Sequence, residues 1–202
     1  MVCLSPGCNG SGMEYVGSNK DGDMKKLLVL GASSSRESIN RVFARFAAEQ
    51  VSGVHLVEVD LSQLNLPLFS VDLERSDGIP PEARDFYATI AGSDALVVSL
   101  AEHNGSYTAA FKNLFDWTSR HESKVWADKP MLLLSTSPGG RGGASVMAAA
   151  LQTFPHMGGK IIAHFSLPSF GDNFQPGQGI TDPALKEAFD AQVALFQAAV
   201  SV

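Results

Sequence analysis

The stretch DALVVSL-AEHNGS-YTAAFKNLFDW, residues 94–117, decides the fold. Residues 94–100 form a short apolar run that reads as a buried strand. Residues 101–106 are a polar turn containing a glycine. Beyond them, apolar residues at 107, 110, 111, 114 and 117 recur at helical spacing. A polar turn between a buried strand and a helix is where an α/β protein places ligand contacts. The ligand lies beyond the carboxyl end of the strand, against the free N–H groups of the next helix. Two more turns of this kind occur. GASSSRESIN (31–40) follows the apolar run Lys26–Leu30, and STSPGGRGG (135–143) follows Pro130–Leu134. Three such turns on one sheet edge argue for a bound cofactor.

The pattern continues along the chain. Arg41–Gln50 carries apolar residues at 42, 43, 46 and 47 and reads as a helix. Val54–Leu61 alternates and reads as a strand. Asn65–Ile79 reads as a loop, and Pro80–Ala91 as a helix opened by proline. Tyr107–Arg120 is a further helix. Gly143–Met157 is Ala-rich and helical until Pro155 ends it. Lys160–Leu167 is a fifth strand, and Thr181-Asp182-Pro183 starts a last helix. This βαβα alternation specifies a parallel sheet with helices on both faces. Five strands suit an α/β, flavodoxin-like, doubly wound sheet of order 2-1-3-4-5. Its ligand crevice lies between strands one and three, where two of the polar turns fall.

Composition sets the limits. The 202 residues suit one core, and 45% hydrophobic with 18% charged residues describes an ordinary globular protein. A net charge of -6 offers no footprint for nucleic acid or an anionic membrane. No apolar run reaches the roughly 18 residues of a membrane span. The two cysteines, Cys3 and Cys8, lack partner ligands nearby, so neither a disulfide framework nor a metal site is expected, and a cytoplasmic location fits. Residues 1–23 are rich in Gly, Ser and Asn and lack the apolar stretch of a secretory signal. They read as a flexible extension, with Met24 as a natural start and residues 24–202 as the folded domain.

The first turn is poor in glycine and rich in hydroxyls: Ser33, Ser34, Ser35 and Ser38, with Arg36 and Asn40. A Rossmann pyrophosphate site needs further glycines, and the P-loop signature is absent. A terminal phosphate monoester, such as that of FMN, suits hydroxyls and a helix N-terminus better. Asp60 imitates a ribose-binding acid but stands 29 residues past Gly31, and the missing glycines outweigh it. In the second turn, backbone groups of Ala101–Gly105 can bond the polar edge of a flavin. Glu102 reads as a structural hydrogen bonder rather than a base, and His103 as a ring-flanking residue or proton donor. The third turn can cradle the ring or admit a nicotinamide, or be a mobile surface loop. Arg141 there is open to a phosphate of NADPH or to solvent. Trp117, Trp126, Phe111 and Phe115 read as core or subunit contacts.

SSSRESIN (33–40), AEHNGS (101–106), FKNLFDW (111–117) and SPGGRGG (137–143) together resemble the NADPH-dependent FMN reductase family, which includes azoreductase-, quinone- and chromate-reductase-type members. The likeness spans about residues 25–200. It implies a phosphate loop at Ser33, Ser35, Arg36, Ser38, Ile39 and Asn40, with ring contacts at Ala101, Glu102, His103, Asn104 and Gly105 and at Ser137, Gly139 and Gly140. Where the family's second turn carries proline and tyrosine, this chain has Ala101 and His103. The implied activity is transfer of hydride from NADPH or NADH to bound FMN, then of electrons to a small acceptor by a ping-pong mechanism. No catalytic side chain and no metal are expected, because the flavin carries the chemistry. A homodimer or homotetramer is implied, with Leu66–Phe69 and helix 107–117 as interface candidates. The rival expectations are an electron-carrier flavodoxin and a non-catalytic FMN-binding redox module.

Overall fold

The computed structural model describes residues 24–201; the expected extension 1–23, with both cysteines, lies outside the described residues. Five strands form the main sheet: β1 (Lys25–Ala32), β2 (Val54–Val59), β3 (Ala95–Leu100), β4 (Pro130–Thr136) and β5 (Lys160–Leu167). All neighbours pair in parallel, in the order β2-β1-β3-β4-β5. This is the expected doubly wound arrangement. The strand order reverses at β1, so a crevice opens between the carboxyl ends of β1 and β3.

The central strands are buried on both faces and therefore read as continuous apolar runs. Leu27, Val29, Val97, Leu132 and Leu134 face one layer, formed by α1 (Ile39–Glu49) and, at the chain's end, the helix Pro183–Val200. Leu28, Leu30, Leu96, Val98, Leu100 and Leu133 face the other. That second layer holds helices α3 (Pro81–Ala91), α4 (Ala109–His121) and α5 (Ala144–Thr153). A short helix, α2 (Val71–Asp77), precedes α3.

Three local expectations need correction. The segment Asn65–Ile79, read as loop, contains α2. Ser70 caps it by accepting from Leu73 N at 3.1 Å, and Asp72 and Glu74 sit in its first turn. None of its residues is buried, so it leaves no apolar periodicity to read. Helix 107–120 starts two residues later, at Ala109, because Glu102–His103 and Ser106–Tyr107 pair as an antiparallel hairpin. Asn104 and Gly105 at its tip have φ of 53° and 78°. Positive φ at both central residues is the requirement of a type I′ turn, for which Asn-Gly is the preferred pair. Finally, Phe111, Phe115, Trp117 and Trp126 are all buried within the chain, so the aromatic face of α4 is core and not interface.

Gly31 ends the apolar part of β1 where α1 crosses it. A Cβ there would stand 2.4 Å from Arg41 Cα and 2.5 Å from Arg41 N, both backbone atoms that cannot swing aside. Gly31→Ala should therefore destabilise the fold by about 1–3 kcal/mol, the usual cost of overpacking. Urea denaturation checks this; an unchanged midpoint would show that α1 has room to move.

Candidate functional site

The three polar turns meet at the carboxyl ends of β1, β3 and β4. Between them lies an open cleft of about 230 Å³. It is lined by Ser33, Ser35, Ser38, Ile39 and Asn40 from the first turn, Ala101, Glu102 and His103 from the second, and Ser137 from the third. Glu37, Thr136 and Pro138 also line it and were not anticipated; each adjoins a residue that was. Arg36, Asn104, Gly105, Gly139 and Gly140, also anticipated, stand outside the lining. A larger cavity of about 530 Å³ lies elsewhere, between α1's outer face and the segment Phe174–Gly179. It lacks the converging turns, so the smaller cleft is the candidate site.

The first turn is arranged for an anion. Ser33 Oγ accepts from Ser35 N, Ser35 Oγ from Glu37 N, and Ser38 Oγ from Arg41 N, at 3.2–3.3 Å. Each hydroxyl is thus held by a lone pair, which leaves its proton free to donate. The N–H groups of Ile39 and Asn40, at the start of α1, have no partner among the described residues. Free N–H groups and the helix dipole favour negative charge at this point. These donors fit the terminal phosphate of FMN.

The Asn40 side chain, expected to touch that phosphate, faces inward instead. Its Nδ2 donates to Thr136 O at 3.1 Å, while Oδ1 accepts from Ser99 Oγ at 2.8 Å and Thr136 N at 3.1 Å. Its backbone N–H and the second Nδ2 proton have no partner among the described residues. Asp60 is also engaged: Arg41 Nη1 lies 2.8 Å from its carboxylate, and Ser62 N donates to it. Burial alone would raise the Asp60 carboxyl, but the Ser62 hydrogen bonds and the Arg41 charge outweigh it and hold it below its ordinary value. The other arm of Arg41 holds the carbonyl of Arg36, so this one guanidinium fixes the loop's outer edge.

The second turn is the hairpin. His103 is exposed, and no hydrogen bond holds its side chain among the described residues. Glu102 is half-buried, and its Oε2 accepts from Ser145 N and Val146 N, both at 2.9 Å. It is a structural hydrogen bonder here. Thr108 Oγ1 closes the turn by donating to Ala32 O at 3.0 Å while capping α4. The third turn is tied down on the loop after β5: Ser169 N donates to Gly139 O and Phe170 N to Ser137 O, each at 3.0 Å. A Cβ on Gly142 would meet Leu167 backbone at 2.8 Å, so the glycine permits this close approach. Arg141 donates to Ser145 Oγ at 2.8 Å. No cluster of three or more His, Cys, Asp or Glu residues able to hold a metal occurs among the described residues.

Comparison with known proteins adds an independent line. The model of the family described as NADPH-dependent FMN reductase matches residues 25–172. An NADPH:quinone oxidoreductase of Arabidopsis thaliana is 35% identical over 116 residues, 57% of this chain and 58% of that protein. A quinone reductase of Pseudomonas putida is 36% identical over 130 residues, 63% of this chain and 68% of that one. The matched region thus spans less than two thirds of the Arabidopsis relative. The flavoenzyme NAD(P)H:(acceptor) oxidoreductase FerB of Paracoccus denitrificans superposes with a TM-score of 0.69 at 23% identity, covering 88% of this chain and 98% of that one. A flavodoxin of Pseudomonas aeruginosa gives 0.51 at 17%, covering 89% and 100%. At such identities these likenesses speak for the fold alone.

The inward-facing amide yields a prediction. Asn40→Ala leaves Ser99 Oγ and both backbone groups of Thr136 unpaired in the core, and each such group costs about 1–3 kcal/mol. Ser38→Ala removes only a helix cap, worth ~1 kcal/mol. In chemical denaturation Asn40→Ala should lose clearly more stability than Ser38→Ala. Equal losses would contradict the network.

Proposed function

The chain belongs to the NADPH-dependent FMN reductase family, and from that premise we propose that it is an FMN-dependent NAD(P)H oxidoreductase acting on a small acceptor such as a quinone. One observation carries the reading: three serine hydroxyls with free protons and two free helix N–H groups converge where the flavin-type hairpin and the glycine turn meet. When bound, FMN would supply the redox chemistry, as acceptor of hydride from NAD(P)H and donor of electrons to the second substrate. The protein's part is placement. Ser33, Ser35, Ser38 and the N–H groups of Ile39 and Asn40 hold the phosphate. Backbone of Ala101–Gly105 meets the ring, and Ser137, Gly139 and Gly140 border it. His103 flanks the ring and influences which acceptor is used.

At about 230 Å³ the cleft is smaller than the ~300–1,000 Å³ of a complete small-molecule site. A second subunit supplies the remaining wall in this reading. Leu66–Phe69 is the surface offered for it. Leu68 is 82% exposed and Val71 49%, on backbone held rigidly to α4. Pro67 O accepts from Trp117 Nε1 at 2.8 Å and Asn113 Nδ2 at 3.0 Å, and Phe69 N donates to Asn113 Oδ1 at 2.8 Å. No helix of the described residues is long and apolar enough to cross a membrane.

Three outcomes test this. Heat-released cofactor should run as FMN on a chromatogram; FAD as the main species would refute the phosphate-loop argument. With NADPH and a quinone varied together, double-reciprocal plots should be parallel, because one open cleft serves both substrates in turn. Intersecting lines would show a ternary complex, and no NADPH oxidation at all would favour an electron carrier. Leu68→Asp should lower the mass measured by light scattering without lowering the melting temperature; an unchanged mass would remove Leu68 from any interface.

A further inference from the structure

The hairpin that faces the cleft is fastened to α5 at both of its strands. On the first, Glu102 Oε2 accepts from Ser145 N and Val146 N. On the second, the Tyr107 hydroxyl lies 3.1 Å from Thr153 Oγ1 at the far end of α5. The Tyr107 ring also lies parallel to Phe154, with centroids 6.1 Å apart. Glu102 and Tyr107 are directly paired across the hairpin. The start of α5 has no cap of its own, since its N-cap residue is Gly143. A carboxylate from another turn fills that place, where unpaired N–H groups and the helix dipole favour it. Ser145 in turn holds Arg141 of the glycine turn.

We propose that Glu102 is a positioning residue for the cofactor: by capping α5 from the hairpin it sets the second turn against the third, and so fixes the ring-binding half of the cleft. The inference rests on the FMN reading above. Its Oε2 is engaged by two backbone N–H groups of α5 and acts on the cleft through them. What matters is the reach of its acceptor oxygen. Glutamine keeps an oxygen at that reach and loses the charge. Aspartate keeps the charge and withdraws the oxygen by one methylene, ~1.5 Å.

The test titrates apoprotein with FMN by fluorescence for wild type, Glu102→Gln, Glu102→Asp and Glu102→Ala. Inorganic phosphate, used as a competitor, reports the α1 end of the cleft separately. Glu102→Asp and Glu102→Ala should bind FMN at least tenfold more weakly and expose the Ser145 and Val146 amides to hydrogen exchange. Glu102→Gln should stay within threefold of wild type, and phosphate affinity should hold in every variant. Should Glu102→Ala fail to fold, the Gln and Asp pair decides alone. Wild-type-like FMN affinity in Glu102→Asp overturns the inference. So does equal weakness of the Gln and Asp variants, which would mean that charge and not reach matters. Parallel loss of phosphate affinity overturns it too, as general damage. Failure of the wild type to bind FMN would instead overturn the functional reading, and this inference with it.

Discussion

The buried amide of Asn40 is the constraint on which the ligand edge depends. It sits at the start of α1, beyond the turn that follows β1, and bonds to Ser99 on β3 and to both backbone groups of Thr136 on β4. One side chain thereby sets the relative heights of three neighbouring strand ends. At 3% exposure its bonds do not compete with water, so displacing it would leave several polar groups unpaired. The same economy runs along the whole edge. Buried Ser38, Asn40, Ser99, Thr108, Ser135 and Thr136 all lie there. Ser135 reaches Gly142 O at 2.7 Å, and Thr136 Oγ1 reaches Leu167 O at 2.8 Å. The interior of the sheet is otherwise apolar, and its polar groups concentrate where loops must be held to one geometry.

This arrangement separates two tasks. Inward-facing amides and hydroxyls fix the loops, while outward-facing groups remain for a ligand. The serines of the first turn serve both, because a hydroxyl can accept from backbone and still donate its proton. Glu102 and Arg41 belong to the first task although both are charged: one caps α5 and the other bridges the loop to Asp60. His103 has no part in the first, as an exposed side chain on a rigid hairpin. The proposed reductase, with its redox chemistry in the cofactor, needs mainly this from its protein: a fixed frame with a few variable residues on its rim.

Legibility followed packing. The five strands and the helices with buried faces were all readable, because burial leaves apolar spacing in the sequence. α2 was not, since it buries nothing and is held by a cap and its charged surface. The hairpin 102–107 left a signal, Asn104-Gly105, that its shortness hid beneath the larger strand–turn–helix pattern. Cleft residues were legible as a group from the polar turns. Their individual tasks were less so. Asn40 reads as a phosphate ligand from its place in a serine-rich loop, and Glu102 gives no sign in the sequence of the helix that it caps 43 residues away.

The sequence by itself determined the fold class, the strand order, the edge on which the turns converge and the chemical character of each turn. These depend on periodicity and on short-range turn chemistry, which act between neighbours along the chain. Only the tertiary structure decided which polar groups face the cleft and which face the core, and which apolar side chains remain exposed. Leu68 and Trp117 are both large apolar residues near one loop, yet one is 82% exposed and the other fully buried. The difference arises when Pro67 docks on α4, a contact 50 residues apart that neither local sequence contains.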